Sequence, residues 1–187
     1  MIDWKWSIFP IGFKEECKLN KLSNFIHQLR QKSIKTRERL FKMQNGKNSE
    51  KISEFIKINF NHEFCLHCLF NNDEYNVEDF YHLFIDCPKS KEINNEIFDK
   101  INSFSKFFFR KDFPKDLIWF NYGSNQPENR PNFPNFDLEL GAIGIIPKNL
   151  FERLSILNPS IQLRNKFLKA ALKVIAYTNI KKVKEHR

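Results

Sequence analysis

Apolar residues recur at helical spacing in several stretches of the chain, separated by polar and proline-bearing breaks. In SNFIHQLRQKS, residues 23–33, Phe25, Ile26 and Leu29 share one helical side and Ser23 is placed to cap it. TRERLFKM predicts a second short helix, with Thr36 as its cap and Leu40, Phe41 and Met43 as its apolar side. A polar loop is expected over QNGKNSE, and in SEFIKINF the spacing of Phe55, Ile56, Ile58 and Phe60 fits helix or strand. From Pro88, PKSKEINNEIFDKINSF predicts a helix with Ile93, Ile97, Phe98 and Ile101 as a continuous inward stripe, the proline sitting well in a first turn.

Phe107 to Phe109 and Leu117 to Phe120 read as short buried elements. The stretch 121–135, with Gly123, Pro127, Pro131 and Pro134 among polar residues, reads as a surface loop or linker. Beyond GAIGIIPKNLFERL, where a short helix is expected after Pro147, the longest helical pattern begins near Asn158 and Pro159. Leu168, Leu172 and Ile175 form its stripe, while Lys166, Lys169, Lys173 and Lys184 lie mostly away from it. The expected fold is therefore mainly α: an irregular segment 1–20, a small helical domain 21–105, an extended or loop region 106–140 and a basic helical region 141–187.

Composition narrows the classes. Of 187 residues 41% are hydrophobic and 28% charged, enough for a globular core, and the net charge of +9 favours a polyanionic partner. There is no run of about 18 apolar residues to span a bilayer. Met1 to Phe13 lacks the basic flank and long apolar stretch of a secretory signal. Three of the four cysteines crowd into one segment beside histidines, a pattern of metal binding in a reducing compartment and so of an intracellular protein, nuclear or cytoplasmic.

That segment, FCLHCLFNNDEYNVEDFYHLFIDCP, spaces Cys65, Cys68, His82 and Cys87 as C-x2-C-x13-H-x4-C. Three thiolates and one imidazole fill the four positions of a tetrahedral Zn2+ site and leave none for a reactive water, so the expected site is a structural CCHC staple. In an unbroken α-helix, residues five apart differ by about 500°, or about 140° after one full turn, which would separate His82 from Cys87. Pro88 disfavours helical backbone at Cys87, so the helix carrying His82 is expected to stop near Asp86 and let Cys87 swing back. His67 lies inside the first turn and is expected to point away from the ion; His62 is the other alternative to His82. Cys17 reads as a spare buried thiol.

LRQKSIKTRERLFKM, then CLHC, then VEDFYHLFIDCPKSKEI resembles the zinc-binding domain that follows the reverse transcriptase in non-LTR retrotransposons. Thr36, Arg37, Arg39 and Leu40 fall on that family's first block, and Glu78, His82, Leu83, Phe84, Cys87 and Pro88 on its last, over about residues 22 to 100. Lys35 stands where the family has an apolar residue, and the stretches from Met43 to Cys65 and from Cys68 to His82 are longer than in many members. The resemblance implies a module that holds RNA template or target DNA near a polymerase during target-primed reverse transcription, with a reverse transcriptase polypeptide as a partner. The chain has no Tyr/Phe-x-Asp-Asp polymerase motif, so a fragment, a decayed element or a stand-alone derivative is expected.

Positive charge is concentrated in two places. Arg30, Lys32, Lys35, Arg37, Arg39 and Lys42 are interrupted only by Glu38, and they are the candidate nucleic-acid contacts, to RNA or DNA. The second tract, from Arg164 to Arg187, reads first as a solvated helix face. The Phe107–Phe109 run beside Arg110 and Lys111 reads first as core, with base stacking as the alternative. Asp116, Asp137 and Glu139 lack the carboxylate-x-Lys pattern of a nuclease, and neither a Ser-His-Asp arrangement nor a Gly-rich phosphate loop occurs. The expectation is a non-catalytic, zinc-stapled nucleic-acid-binding module, with a protein-docking module as the alternative.

Overall fold

The computed structural model describes residues 28, 34–46, 61–72, 74–120, 133, 136 and 138–186. Among these the fold is mainly helical and contains no strands. Helix α1 (Arg37–Gln44) is capped by Thr36, whose hydroxyl accepts from the Arg39 N–H at 3.3 Å. Helix α2 (Leu66–Asn72) follows Cys65, and an antiparallel bridge between Phe64 and Val77 closes the loop around it. A π-helical turn (His82–Asp86) leads directly into α3 (Pro88–Phe109). Short turns α4 (Leu138–Ala142) and α5 (Leu150–Arg153) precede the long α6 (Ile161–Glu185), capped by Ser160.

Two apolar clusters hold these elements. In the larger, Ile97, Ile101 and Phe109 of α3 pack against Phe167, Leu168, Leu172 and Ile175 of α6 around the fully buried Trp119. The backbone comes so close here that a Cβ on Gly141 would lie 1.8 Å from the Trp119 carbonyl oxygen, which restricts the position to glycine. In the second cluster Leu83, Phe84 and Ile85 of the π turn meet Ile34, Ala142, Ile143, Ile145 and Val183. This cluster seats the turn that carries His82 against the far end of α6.

The helix from Pro88, the helix after Pro147 and the long C-terminal helix stand where the periodicity puts them. Two features differ. The Phe107–Phe109 run is the last turn of α3 and not a separate element, so consecutive phenylalanines point different ways: Phe109 is buried and Phe107 is 69% exposed. The expected division between residues 105 and 106 thus falls inside a helix that ends at Arg110 in a left-handed conformation, φ 59°. The basic C-terminal tract also packs along α3 and joins both clusters, and two of its cations, Arg164 and Lys182, are buried. The segment 1–20 with Cys17, the helix over 23–33 apart from the helical Gln28, the segment 53–60 and nearly all of the 121–135 loop lie outside the described residues.

Candidate metal centre

The first ligand pair comes from a loop tied down by backbone bonds. The Cys65 N–H donates to the Asn76 carbonyl and the Glu78 N–H to the Glu63 carbonyl, each at 2.8 Å. Cys65 then precedes α2 and Cys68 lies in its first turn, which turns both sulfurs the same way. His67, between them, bonds outward to Asn71, and the His62 ring accepts from the Phe64 N–H, so neither joins the cluster.

The second pair sits on the π turn. Asp79 caps its start, accepting from the His82 N–H at 2.7 Å. The Cys87 N–H then donates to the His82 carbonyl at 2.9 Å, an i→i+5 bond. A turn widened in this way stacks residue 87 over residue 82, where an α-turn would separate them. The expected helix ends at Asp86 and Cys87 takes extended backbone, φ −55° and ψ 131°, as Pro88 requires. The convergence comes from the wide turn as well as from the stop, and periodicity alone does not predict the widening.

Widening leaves carbonyls without their usual donors. The Leu83 carbonyl accepts from the Ser90 hydroxyl at 2.5 Å. The α-helical donor to the Phe84 carbonyl would be the nitrogen of residue 88, and proline has no N–H. The Lys182 side-chain nitrogen, wholly buried, takes that place at 2.9 Å.

Cys65, Cys68, His82 and Cys87 are all buried, and their ligand atoms lie within 4.8 Å of one another, a Cys3His group able to hold a metal ion. Sγ of Cys87 is 3.9 Å from that of Cys65 and 4.0 Å from that of Cys68, and Cys68 Sγ is 3.3 Å from His82 Nε2. A disulfide would need about 2.05 Å. Tetrahedral bonds of about 2.3 Å to sulfur and about 2.0 Å to nitrogen give edges of about 3.8 Å between sulfurs and about 3.5 Å from sulfur to nitrogen. The donor set and its spacing fit a four-coordinate cation.

The electrostatics of the thiols point the same way. A hydrogen bond with the Cys87 thiol favours the Cys65 thiolate and lowers its pKa. That bond and burial push Cys87 up; burial and the Cys65 charge do the same to Cys68. One thiolate suppresses the others, and a divalent cation among the sulfurs reverses that suppression.

Two further groups border the centre. Glu78 is buried, and one carboxylate oxygen accepts from the Arg37 N–H at 3.1 Å while the other lies 3.8 Å from Arg37 Nε. Burial pushes Glu78 up to about 7, against the pull of the Arg37 N–H. Arg37, a candidate phosphate contact by sequence, has its guanidinium turned inward, because Glu78 would otherwise be an unpaired buried carboxylate. His186, from the C-cap of α6, is also buried, with Nε2 3.2 Å from Cys87 Sγ and Nδ1 2.8 Å from the Lys182 carbonyl. Burial opposes a charge on His186, but the nearby Cys65 sulfur and that carbonyl prevail and raise its pKa.

Of the other candidate nucleic-acid contacts, Lys35, Arg39 and Lys42 are exposed, Lys42 pairing with Glu38 one turn away; Arg30 and Lys32 lie outside the described residues. Arg39 and Lys42 border a cleft of about 380 Å³ with Ile34, Met43 and Phe80 among its lining. The ligand-bearing segment itself is acidic: residues 61–87 contain six Asp or Glu and no Lys or Arg. A count by segment finds that polarity in the sequence; tallying the basic patches alone misses it. The same segment exposes Phe70 and Tyr75. No helix among the described residues is long and apolar enough to cross a membrane. Comparison with protein-family models, with curated proteins and with solved structures finds no match.

Proposed function

We propose that the chain is a non-catalytic module in which a structural Zn2+ ion holds a basic helix ready to contact nucleic acid. The carrying observation is the buried Cys3His group joined to α1 through Arg37 and Glu78. Four protein ligands complete a tetrahedron, so the ion has no open position for substrate or water. Tetrahedral sulfur-rich coordination favours zinc among the available divalent ions. With the centre acidic, contact falls to the exposed Lys35, just before the anchored helix, and Arg39 and Lys42 on it, and the cleft beside the latter two has apolar walls to receive an unstacked base. The resemblance to the zinc-binding domain of non-LTR retrotransposon reverse transcriptases supports RNA template or target DNA as the ligand and a reverse transcriptase polypeptide as a partner.

One zinc per chain is expected in purified protein, and none in Cys87→Ser. In filter binding, RNA or DNA retention is expected to weaken steeply from about 50 to about 200 mM salt, as phosphate contacts require. A zinc-loaded protein with no retention at low salt would sink the nucleic-acid reading. The outcome would then favour protein docking, for which exposed Phe70 and Tyr75 on the acidic segment are the supporting observation.

A further inference from the structure

We infer that His186 belongs to the metal centre as an outer donor, its Nε2–H bonded to the Cys87 sulfur, so that metal binding and seating of the last turn of α6 are one linked event. The inference rests on the metal reading above and adds to it a residue 99 positions away from Cys87. A carbonyl oxygen only accepts, so Nδ1, 2.8 Å from the Lys182 carbonyl, carries a hydrogen. A metal-bound Cys87 has no proton to give, so the hydrogen in the 3.2 Å contact between Nε2 and Sγ comes from the ring. His186 therefore donates from both nitrogens. The four atoms of the Cys3His group already complete a tetrahedron, which assigns His186 to the outer shell.

The arrangement is reciprocal. A metal that fixes the Cys87 sulfur favours the docked end of α6, and a docked His186 raises metal affinity by the same factor. Outer partners of metal ligands typically alter affinity by about 10- to 100-fold.

Cobalt(II) tests this in the full chain, because its visible spectrum reports ligand set and geometry. The wild type is expected to bind one Co2+ with the bands of a tetrahedral three-sulfur, one-nitrogen site. His186→Leu should keep those ligand-field bands, bind about 10- to 100-fold more weakly, and move the sulfur-to-metal charge-transfer band to lower energy. His186→Gln, whose amide can donate to sulfur, should recover part of both effects. Hydrogen exchange at 180–185 should slow on adding cobalt in the wild type and respond far less in His186→Leu. Equal affinity and an unshifted charge-transfer band in His186→Leu would overturn the inference, as would altered ligand-field bands, which would make His186 itself a ligand. Should His186→Leu fail to fold, the comparison of His186→Gln with wild type decides by the same bands. Failure of the wild type to bind cobalt would be a different result, removing the metal reading itself.

Discussion

Arg37 and Lys42 are five residues apart on one short helix and serve opposite purposes. Arg37 points into the protein, where burial lowers its pKa and Glu78 opposes that fall. Lys42 points outward and pairs with Glu38, an i, i+4 partner at the surface. A buried ion pair adds little net stability when intact, but removing one partner strands the other. Arg37→Ala is therefore expected to destabilise the fold by about 3–5 kcal/mol in urea denaturation, with the effect falling on the attachment of α1 to the ligand-bearing segment. Lys42→Ala should leave the urea midpoint close to wild type. If the module binds nucleic acid, Lys42→Ala should weaken that binding and flatten its logarithmic salt dependence by about 0.7–0.9 for each phosphate that the lysine neutralises. A midpoint unchanged in Arg37→Ala would contradict the structural role assigned to the pair. From sequence alone the two cations look alike, because what separates them is a carboxylate 41 residues downstream.

At the scale of the element, the ligand spacing and the proline after Cys87 were legible because each is local: a two-residue gap, a restriction on the residue before proline, an apolar stripe every three or four positions. The π turn was not. Its i→i+5 bond is selected by four ligands closing around one point, by Ser90 and Lys182 supplying the missing donors, and by Leu83 to Ile85 packing beneath. The decisive partners, Lys182 and the residues that meet Leu83 to Ile85, lie far away in the chain. The Phe107–Phe109 triplet misled for a related reason, since composition marks it as buried while only helical geometry decides that Phe109 is buried, Phe108 packs at the core's edge and Phe107 is exposed.

The buried Lys182 gives this element a pH signature. Burial holds its pKa down at about 7, against an ordinary 10.5. Between those values the unfolded chain binds a proton that the folded chain does not, so stability rises with pH across that window and the gain is lost as pH falls through about 7. Lys182→Met removes the titrating group but leaves the Phe84 carbonyl without its donor, two opposing effects on absolute stability. The diagnostic quantity is the slope. Between about pH 7.5 and 9 the difference in unfolding free energy between wild type and Lys182→Met should change by up to about 1.4 kcal/mol per pH unit, measured by urea denaturation at each pH. Parallel curves would show that Lys182 is not held neutral in the folded protein.

The whole molecule has two stabilising systems of different kinds. The α3–α6 body is an apolar cluster around Trp119 with no cysteine among its described members. Residues 61–79 of the ligand-bearing segment enter neither of the two apolar clusters described above, and the three cysteines form a separate buried cluster. A structural zinc contributes on the order of 10–16 kcal/mol in small peptides, comparable to the net stability of a domain. In the proposed zinc-bound protein that free energy would act on residues 61–79, which join neither apolar cluster. In the proposed metal-bound protein, withdrawing the ion would free the sulfurs from their common centre and release the loop, then α1 through Glu78, then the last turn of α6 through His186. The apolar body has no such dependence. Chelation is therefore expected to unfold the protein in part: in hydrogen exchange followed by mass spectrometry, peptides covering 36–46 and 62–87 should lose protection, and those covering 180–186 should lose some. Peptides covering 93–105 and 163–175 should keep most of theirs. Uniform loss along the chain would mean that the two systems form one cooperative unit, and no loss at 62–87 would mean that the cysteines pack as core without an ion.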